Sequence, residues 1–198
     1  LPVVVYMPTW RGNDTQNPSD SIAQVIAELK YLRKEFLGKY NIILKVHPYL
    51  FKKAKNCKEL NGILIDDAMD ANLVLAATDI LITDFSSVFF DYLVTDKPII
   101  FYAWDQDIYS EDRGMYLDMA ELPGPILKTV IEIADYLSDI DQLSQDYLGK
   151  YLRAKEKYVP YDDGNVSEII VDYIFKKEKS SQLVVKKIDS EKEKLLFY

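Results

Sequence analysis

The sequence predicts an α/β fold, in which a parallel sheet is covered by helices on both faces as in Rossmann-like domains. Short apolar runs rich in β-branched residues alternate with segments whose apolar positions recur at helical spacing. These runs are apolar at successive positions, which is typical of strands buried on both faces of a parallel sheet. Connections between such strands are right-handed. With 198 residues and 48% hydrophobic content, the chain can bury a core as one domain or two small ones.

Five strands are predicted from these runs. The first lies in "LPVVVYMPTW" (1–10) and ends at Pro8, and the second, in "NIILKVHPYL" (41–50), stops at His47 and Pro48. The remaining three are "GILID" (62–66), "DILIT" (79–83) and "KPIIFY" (97–102).

The intervening segments predict helices. Apolar residues from Ile22 to Phe36 recur at helical spacing, with Ser19 or Asp20 as the cap and Gly38 at the end. Further helices are predicted in "DAMDANLVLAA" (67–77) and "SSVFFDYLV" (86–94). Residues 103–126 show no clear period and predict a long loop, which in a small domain is usually functional.

Helical spacing returns in the last third of the chain, in "TVIEIADYL" (129–137) and "SEIIVDYIF" (167–175). We therefore expect one Rossmann-like domain over residues 1–177. Residues 178–198 form a charged tail, predicted to be a solvated, frayed helix. A membrane-facing amphipathic tail is less favoured, because its lysines alternate with glutamates.

Composition limits the classes of partner. A net charge of −8 argues against nucleic acid or an anionic membrane as a broad partner, so a bound anion must meet a few local cations. The single cysteine, Cys57, cannot form an intramolecular disulfide and fits a reducing cytosol. The sequence shows neither a membrane-spanning run nor a secretion signal. Because it starts with Leu1 and enters a strand at once, we expect a piece of a longer protein.

The residues that follow the predicted strands predict a phosphate site, since ligands of open parallel sheets bind at the carboxyl ends of the strands. Three strand ends offer cations, and one offers hydroxyl groups at the start of a helix, a natural anion site. The candidates are Thr9 and Arg11 after the first strand, Lys45, His47 and Pro48 at the second, Thr83, Asp84, Ser86 and Ser87 at the fourth, Asp91 in the helix beyond, and Arg113 in the long loop.

Each candidate also has a purely structural interpretation. Arg11 could be a surface arginine, and His47 a strand terminator. Ser86 and Ser87 are good helix caps in any case. Asp84 could hold its own turn, and Asp91 could face solvent. The joint placement of these residues at one edge carries the prediction.

Other chemistries find no support in the sequence. One histidine and one cysteine cannot form a zinc cluster. The G-x-S-x-G, Walker and G-x-G-x-x-G patterns do not occur, which argues against the hydrolase, P-loop and dinucleotide-binding interpretations.

Seven motifs, taken together and in this order, carry a family resemblance. They are "MPTWR" (7–11), "LKVHP" (44–48), "ATDILITDFSSVFFDY" (77–92), "KPIIFY" (97–102), "RGMYLD" (113–118), "LPGPI" (122–126) and "DDGNVSEIIVDYI" (162–174). The sequence resembles the carboxyl-terminal domain of the CDP-glycerol glycerophosphotransferase family, the teichoic acid polymerases and primases.

The resemblance implies the nucleotide-binding, carboxyl-terminal half of a GT-B architecture. The family transfers glycerol phosphate from CDP-glycerol to a lipid-linked polyol-phosphate acceptor, releases CMP, and works at the cytoplasmic face of the cell membrane. The acceptor and the general base are expected to be held by an amino-terminal domain absent from this sequence. We therefore expect this chain alone to be inactive.

The resemblance also suggests roles for the candidates. Arg11, Lys45, His47 and Arg113 supply positive charge, the Ser86 and Ser87 hydroxyls hold the phosphates, and Asp91 binds the ribose. Thr9, Pro48, Thr83 and Asp84 complete the donor site, and His47 is the candidate catalytic residue as an acid for the leaving phosphate. We expect no cofactor and no requirement for Mg²⁺, although Asp66 and Asp67 at a predicted strand end weaken that expectation.

Two alternatives remain open. The donor could be CDP-ribitol, or a nucleotide sugar in a GT-B glycosyltransferase, because the sequence does not distinguish glycerol from ribitol. The chain could also be a nucleotide-binding module without turnover.

Overall fold

The central element of the fold is a sheet of five parallel strands. The computed structural model describes residues 1–11, 22–113 and 117–176. Within these residues the sheet order is β2-β1-β3-β4-β5. The strands are β1 (Val3–Met7), β2 (Asn41–Leu44), β3 (Ile80–Thr83), β4 (Ile99–Tyr102) and β5 (Ile126–Leu127), and every neighbouring pair is parallel. The predicted α/β fold is confirmed.

Helices connect the strands. They are α1 (Ile22–Glu35), α2 (Pro48–Ala54), α3 (Ala71–Ala77), α4 (Val88–Tyr92), α5 (Gln106–Arg113), α6 (Val130–Ser138), α7 (Ile140–Tyr158) and α8 (Val166–Val171). Short 3₁₀ turns occur at Lys58–Leu60, Leu93–Thr95 and Met119–Glu121, and a π turn occurs at Asp172–Lys176.

Alternate strand residues enter two separate apolar layers, one on each face of the sheet. Tyr6, Ile82 and Ile100 point to the layer that also holds the buried faces of α1, α2 and α6. Leu81 and Phe101 point to the opposite layer, which contains residues of α3, α4 and α7. Because both faces are covered, all four residues of β3 and of β4 are buried, as the continuous apolar runs predict.

The boundaries of two predicted helices follow local signals. The chain turns after α1 through Gly38, whose φ of +81° is the left-handed conformation that glycine adopts most easily. Helix α6 starts with a capping box, in which Thr129 and Glu132 each bond the backbone of the other. The predicted caps of α1, Ser19 and Asp20, lie outside the described residues.

The strand predicted at 62–66 is wrong. Only Leu64 forms an isolated bridge, to Leu44 in β2. Its two hydrogen bonds run from the Leu44 amide to the Ile63 carbonyl and from the Ile65 amide to the Leu44 carbonyl, both at 2.8 Å. The contact with β2 is limited to this bridge at the last residue of the strand, so the segment does not extend into a strand.

The loop predicted at 103–126 is also wrong in part, because it contains α5, a 3₁₀ turn and the start of β5. Strand β5 has only two residues, too few to show a period. Gly124 lets this segment approach β4 closely, since a Cβ atom there would lie 2.0 Å from the Ile99 carbonyl oxygen. Helix α2 was not predicted either, since its short "PYLFKKA" run follows directly on the strand.

The chain divides into two compact units, Leu1–Pro160 and Tyr161–Tyr198. In the second unit, the described residues form α8 and the π turn, which confirms the helix predicted at 167–175. The charged tail at 178–198 lies outside the described residues. None of the helices in the described segments is long and apolar enough to cross a membrane.

Candidate nucleotide-binding site

The carboxyl edge of the sheet has a topological switch point between β1 and β3. The chain runs from β1 to β2 on one side, and β3 then returns to the other side of β1. The loops that follow β1 and β3 therefore lead to opposite faces and open a crevice between them. Ligands of open α/β sheets bind at such a crevice.

A cleft of about 390 Å³ occupies this edge. Five of the predicted residues line it, namely Thr9 after β1, Lys45, His47 and Pro48 after β2, and Ser86 after β3. Residues 67–71, which precede and begin α3, form another part of the wall. The structure thus brings together residues from three strand ends in one cavity, and their donor-binding roles stay predictions.

Lys45 places a cation in the cleft wall. The residue is buried, with 9% of its surface exposed. Its Nζ donates to the carbonyl oxygens of Met69, at 3.0 Å, and Asp66, at 3.5 Å. An ammonium group has three N–H donors, so these two bonds leave one donor for a further partner.

His47 has a structural role that its sequence context only hinted at. It is the cap of α2, and its Nδ1 accepts a hydrogen bond of 3.3 Å from the Tyr49 amide. Its ring lies 4.6 Å from the ring of Tyr49 and 6.2 Å from that of Trp10, measured between centroids. Because Nδ1 is an acceptor, the neutral imidazole carries its proton on Nε2. His47 can then act as a hydrogen-bond donor without a positive charge.

The two serines at the start of α4 are not equivalent. Ser86 is half-buried, lines the cleft, and its Oγ lies 3.4 Å from the Val88 amide that donates to it. Ser87 occupies the cap position, but its exposed side chain makes no capping hydrogen bond. Of the two hydroxyl groups, only that of Ser86 belongs to a residue of the cleft lining.

Behind the cleft, Asp84 fixes the loop after β1. Its carboxylate is buried and accepts hydrogen bonds from the Thr9 amide, at 2.9 and 3.0 Å, and from the Thr9 hydroxyl. Thr83 is also buried, and its hydroxyl donates to the Met7 carbonyl at 2.8 Å. These contacts tie the ends of β1 and β3 together and orient Thr9 at the cleft.

Arg11 joins this network, so its positive charge does not lie open to a ligand. Its Nη2 lies 2.9 Å from Asp84 Oδ2, and its Nε lies 2.5 Å from Asp105 Oδ2. Its guanidinium also lies within 5.4 Å of the ring centroids of Phe85 and Tyr109. Burial lowers the pKa of Arg11, but the hydrogen bond to Asp105 and the charges of Asp84 and Asp105 outweigh it and raise that pKa above its ordinary value. We interpret Arg11 as a support for the loop.

A second buried polar group lies between α1 and the sheet. The Tyr102 hydroxyl donates to Glu28 Oε1 at 2.6 Å, and Gln24 donates to the same oxygen at 2.8 Å. Glu28 Oε2 is buried and has no hydrogen-bond partner among the described residues. Burial raises the pKa of the Glu28 carboxyl, and it also raises the pKa of Tyr102, assisted by the hydrogen bond to Glu28.

Asp91 is not among the residues that line the cleft, and the structure does not describe the side chain of Arg113. Asp91 is exposed on α4, and the position of its side chain does not test its predicted role at a ribose. Arg113 ends α5, and its side chain lies outside the described part of the chain.

Sequence reasoning missed Asp105, which completes the Arg11 network, and the wall formed by residues 67–71. Asp105 lies three residues after β4, at the same edge as the other candidates, so its position in "AWDQ" was the available signal. Among the residues that the structure describes, no group of three or more histidine, cysteine or acidic side chains could hold a metal ion.

Comparison with known proteins identifies the family. A family profile described as CDP-Glycerol:Poly(glycerophosphate) glycerophosphotransferase matches residues 2–176. A teichoic acid poly(glycerol phosphate) polymerase of Staphylococcus epidermidis is 33% identical over 88% of this chain and 24% of its own length. A teichoic acid glycerol-phosphate transferase of Staphylococcus aureus is 32% identical over 88% of this chain and 45% of its own. The chain therefore spans less than half the length of these curated relatives.

A relative with a different polyol and a solved structure also match. A teichoic acid poly(ribitol-phosphate) polymerase of Bacillus spizizenii is 30% identical over 87% of this chain and 27% of its own length. A structure of the wall teichoic acid polymerase TagF has a TM-score of 0.73 and 33% identity, and covers 89% of this chain and 43% of that one. A TagF variant soaked with CDPG has a TM-score of 0.71, at the same identity and with 42% of its chain covered. This likeness fits the carboxyl-terminal half of a GT-B architecture.

Glycerophosphotransferases and teichoic acid polymerases are transferases. The match covers all the strands and the cleft described above, and the chain belongs to the CDP-glycerol:poly(glycerophosphate) glycerophosphotransferase family.

Proposed function

We propose that this chain is the donor-binding domain of a transferase that moves glycerol phosphate from CDP-glycerol to a hydroxyl of a lipid-linked polyol-phosphate polymer and releases CMP. The general base and the site of the reacting acceptor hydroxyl belong to a further domain, and the whole enzyme works at the cytoplasmic face of the cell membrane. The proposal is supported by the family match over residues 2–176 and by the cleft at the switch point of the sheet.

The observation that carries the proposal is the set of donor groups around this cleft. Lys45 supplies a cation, and Ser86 a hydroxyl, each from the end of a different strand. Phosphoryl transfer depends on positioning and on stabilisation of negative charge more than on covalent help. Preorganised donors around a diphosphate provide both. In this arrangement Thr9 is held by Asp84, and Arg11 keeps Asp84 in place.

His47 assists the departure of CMP. The acceptor hydroxyl attacks the phosphorus that bears glycerol, the bond from that phosphorus to the CMP oxygen breaks, and the hydroxyl proton passes to the base of the other domain. With Nδ1 bonded to the Tyr49 amide, the neutral ring presents Nε2–H to the leaving phosphate. This refines the predicted acid role, because a hydrogen bond from the neutral imidazole stabilises the leaving group without a cationic ring.

The alternative with a specific observation behind it is a different polyol. A ribitol-phosphate polymerase matches this chain almost as well as the glycerol-phosphate enzymes do. The choice between them depends on residues around the polyol. A CDP-ribitol transferase would use the same cleft for the same nucleotide.

Calorimetric titration of the 198-residue chain with CDP, CMP, UDP and ADP tests the nucleotide assignment. We expect CDP to bind more tightly than UDP or ADP. Preference for UDP would point to a nucleotide-sugar transferase, and a chain that binds none of the four would contradict the proposal.

Turnover by the complete enzyme tests the transferase role. CMP release from CDP-glycerol, with a lipid-linked acceptor, is compared between the wild type and His47→Gln. Removal of one preorganised hydrogen-bond donor from developing negative charge costs about 10²–10³-fold in kcat, so we expect a loss in that range in a folded variant. Tyr49→Phe keeps the amide that bonds Nδ1 and serves as the control. Near-normal turnover by His47→Gln would leave His47 as a helix cap only.

A further inference from the structure

The charge of this acidic chain is unevenly distributed. Residues 30–59 contain nine basic and two acidic side chains, a net charge of +7, so the rest of the chain carries −15. The overall value of −8 therefore conceals a strongly basic segment. A local excess of this size attracts anions even when the protein as a whole is negative.

The structure gathers most of these cations on one exposed surface. Helix α1 and the turn Lys58–Leu60 are neighbours, because Lys30 lies 4.0 Å from Glu59. Helices α1 and α2 also bury their apolar sides in the same layer of the core. We call this surface the basic face. Its members, all exposed, are Lys30, Arg33, Lys34, Lys39, Lys52, Lys53, Lys55 and Lys58. Lys45 is excluded, because it is buried in the cleft wall.

The basic face begins beside the candidate nucleotide cleft. Helix α2 starts at Pro48, which lines the cleft directly after His47, and carries Lys52 and Lys53 in its last turn. At 1.5 Å per residue, the seven residues of α2 span about 10 Å. A chain that leaves the cleft along α2 therefore meets cations within about two turns of helix.

We propose that the basic face binds the phosphodiester backbone of the polymeric acceptor and guides it to the cleft. This inference rests on the proposed function, which makes the acceptor a polyol-phosphate polymer. Such a polymer carries a negative charge at each repeat. Binding it to several lysines releases condensed counterions, which makes the interaction favourable and strongly dependent on salt. A single polymer chain is narrow enough to contact the basic face alone. A broad anionic surface, such as a membrane, would also contact the acidic rest of the protein, which would repel it.

Binding of a fluorescent poly(glycerol phosphate) oligomer to the 198-residue chain tests this, followed by anisotropy across a salt series. The test variant is Lys52→Glu/Lys55→Glu/Lys58→Glu. We expect it to bind at least about tenfold more weakly and to lower the slope of log affinity against log salt by about three, one for each lost phosphate contact. The matched control Lys150→Glu/Arg153→Glu/Lys157→Glu makes the same change in charge on α7, whose Tyr151 and Ala154 pack in the opposite apolar layer, and should bind like the wild type.

Further arms separate the possible outcomes. If the first variant does not fold, Lys30→Glu/Lys34→Glu on α1 replaces it. Equal losses in the test and control variants would overturn the inference. So would wild-type binding to phosphatidylglycerol vesicles or to an RNA oligomer but not to the polymer. CDP affinity, measured on the same proteins, should be unchanged by either triple variant. A wild-type chain that binds the polymer but not CDP would contradict the proposed function and still support polymer binding by the basic face.

Discussion

The Arg11 guanidinium donates hydrogen bonds to both oxygens of the Asp105 carboxylate, with Nε 2.5 Å from Oδ2 and Nη2 2.9 Å from Oδ1. The two residues are 94 positions apart in the chain and follow different strands. Asp84 joins the same guanidinium from a third strand end. This network therefore holds the loop after β1 against β3 and β4, and Thr9 reaches the cleft as part of that loop.

Removal of the central cation should destabilise the fold strongly. Arg11→Met leaves Asp84 and Asp105, both buried, without their counter-charge. Loss of one partner from a buried ion pair costs about 3–5 kcal/mol, so we expect a decrease of this size in the free energy of unfolding, measured by urea denaturation. Lys155→Met breaks the exposed pair with Asp96 and should cost less than about 1 kcal/mol. Similar losses for the two variants would show that the network is not structural.

The buried carboxyl of Glu28 should make stability fall as the pH rises. Burial raises the pKa of Glu28 in the folded state above its ordinary value of 4.5. Between these two values the folded protein holds a proton that the unfolded chain has lost, so stability decreases with increasing pH. Glu28→Gln removes this ionisation. We expect the free energy of unfolding of Glu28→Gln, relative to that of the wild type, to increase from acidic pH to pH 7. Urea denaturation at several pH values measures this difference.

Glu35 provides the control for Glu28. It is an exposed glutamate on the same helix, so Glu35→Gln makes the same chemical change without altering the buried carboxyl, and the pH dependence of Glu28→Gln is compared with it. A Glu28→Gln variant whose stability follows the wild type at every pH would contradict the assigned cause.

Ser86 should contribute to nucleotide binding more than Ser87. Only Ser86 lines the cleft, while the Ser87 side chain is exposed and makes no capping bond. A hydrogen bond to a charged group is worth about 1.5–3 kcal/mol, so Ser86→Ala should weaken CDP binding roughly tenfold or more. Because the capping contact of Ser86 is long, at 3.4 Å, the variant should lose little stability. Calorimetry and urea denaturation measure the two effects. Equal affinities of Ser86→Ala and Ser87→Ala would remove the distinction.

Nucleotide binding should not require a divalent metal. Lys45 can neutralise part of the diphosphate charge from the cleft wall. Asp67 is the residue that could overturn this expectation, because it lines the cleft beside the predicted phosphate position. We expect the CDP affinity to be the same in EDTA and in Mg²⁺. An affinity that EDTA abolishes, Mg²⁺ restores and Asp67→Asn eliminates would establish a metal site.

The sequence allowed the parallel sheet to be predicted because its strands are buried on both faces. β3 and β4 are apolar at almost every position, so a local pattern was sufficient. The local pattern failed for two short segments, because β5 was not predicted and the strand predicted at 62–66 does not form. β5 has two residues, and 62–66 pairs only through Leu64, so tertiary contacts rather than periodicity decide their conformation.

The candidate site was predictable as a set of strand ends but not as a network. Ligands of open parallel sheets bind at the carboxyl ends of the strands, and this principle predicted that Thr9, Lys45, His47 and Ser86 lie together. All four line the cleft. The position of a residue at a strand end does not indicate which charged side chains pair with one another. The sequence alone suggested that the Arg11 charge is available to a ligand, and only the structure shows that Arg11 pairs with Asp84 and Asp105.

The location of the bound nucleotide tests the central claim most directly. Amide resonances of the ¹⁵N-labelled 198-residue chain are followed during titration with CDP. We expect the largest shifts at Lys45, His47 and Ser86, which line the cleft at the carboxyl edge. A second cleft, of about 110 Å³, lies at the opposite edge of the sheet and is lined by Asp96 and Gly124, among others. The amide resonances of these residues should not shift. Shifts confined to that second cleft, or no shifts at saturating CDP, would contradict the account.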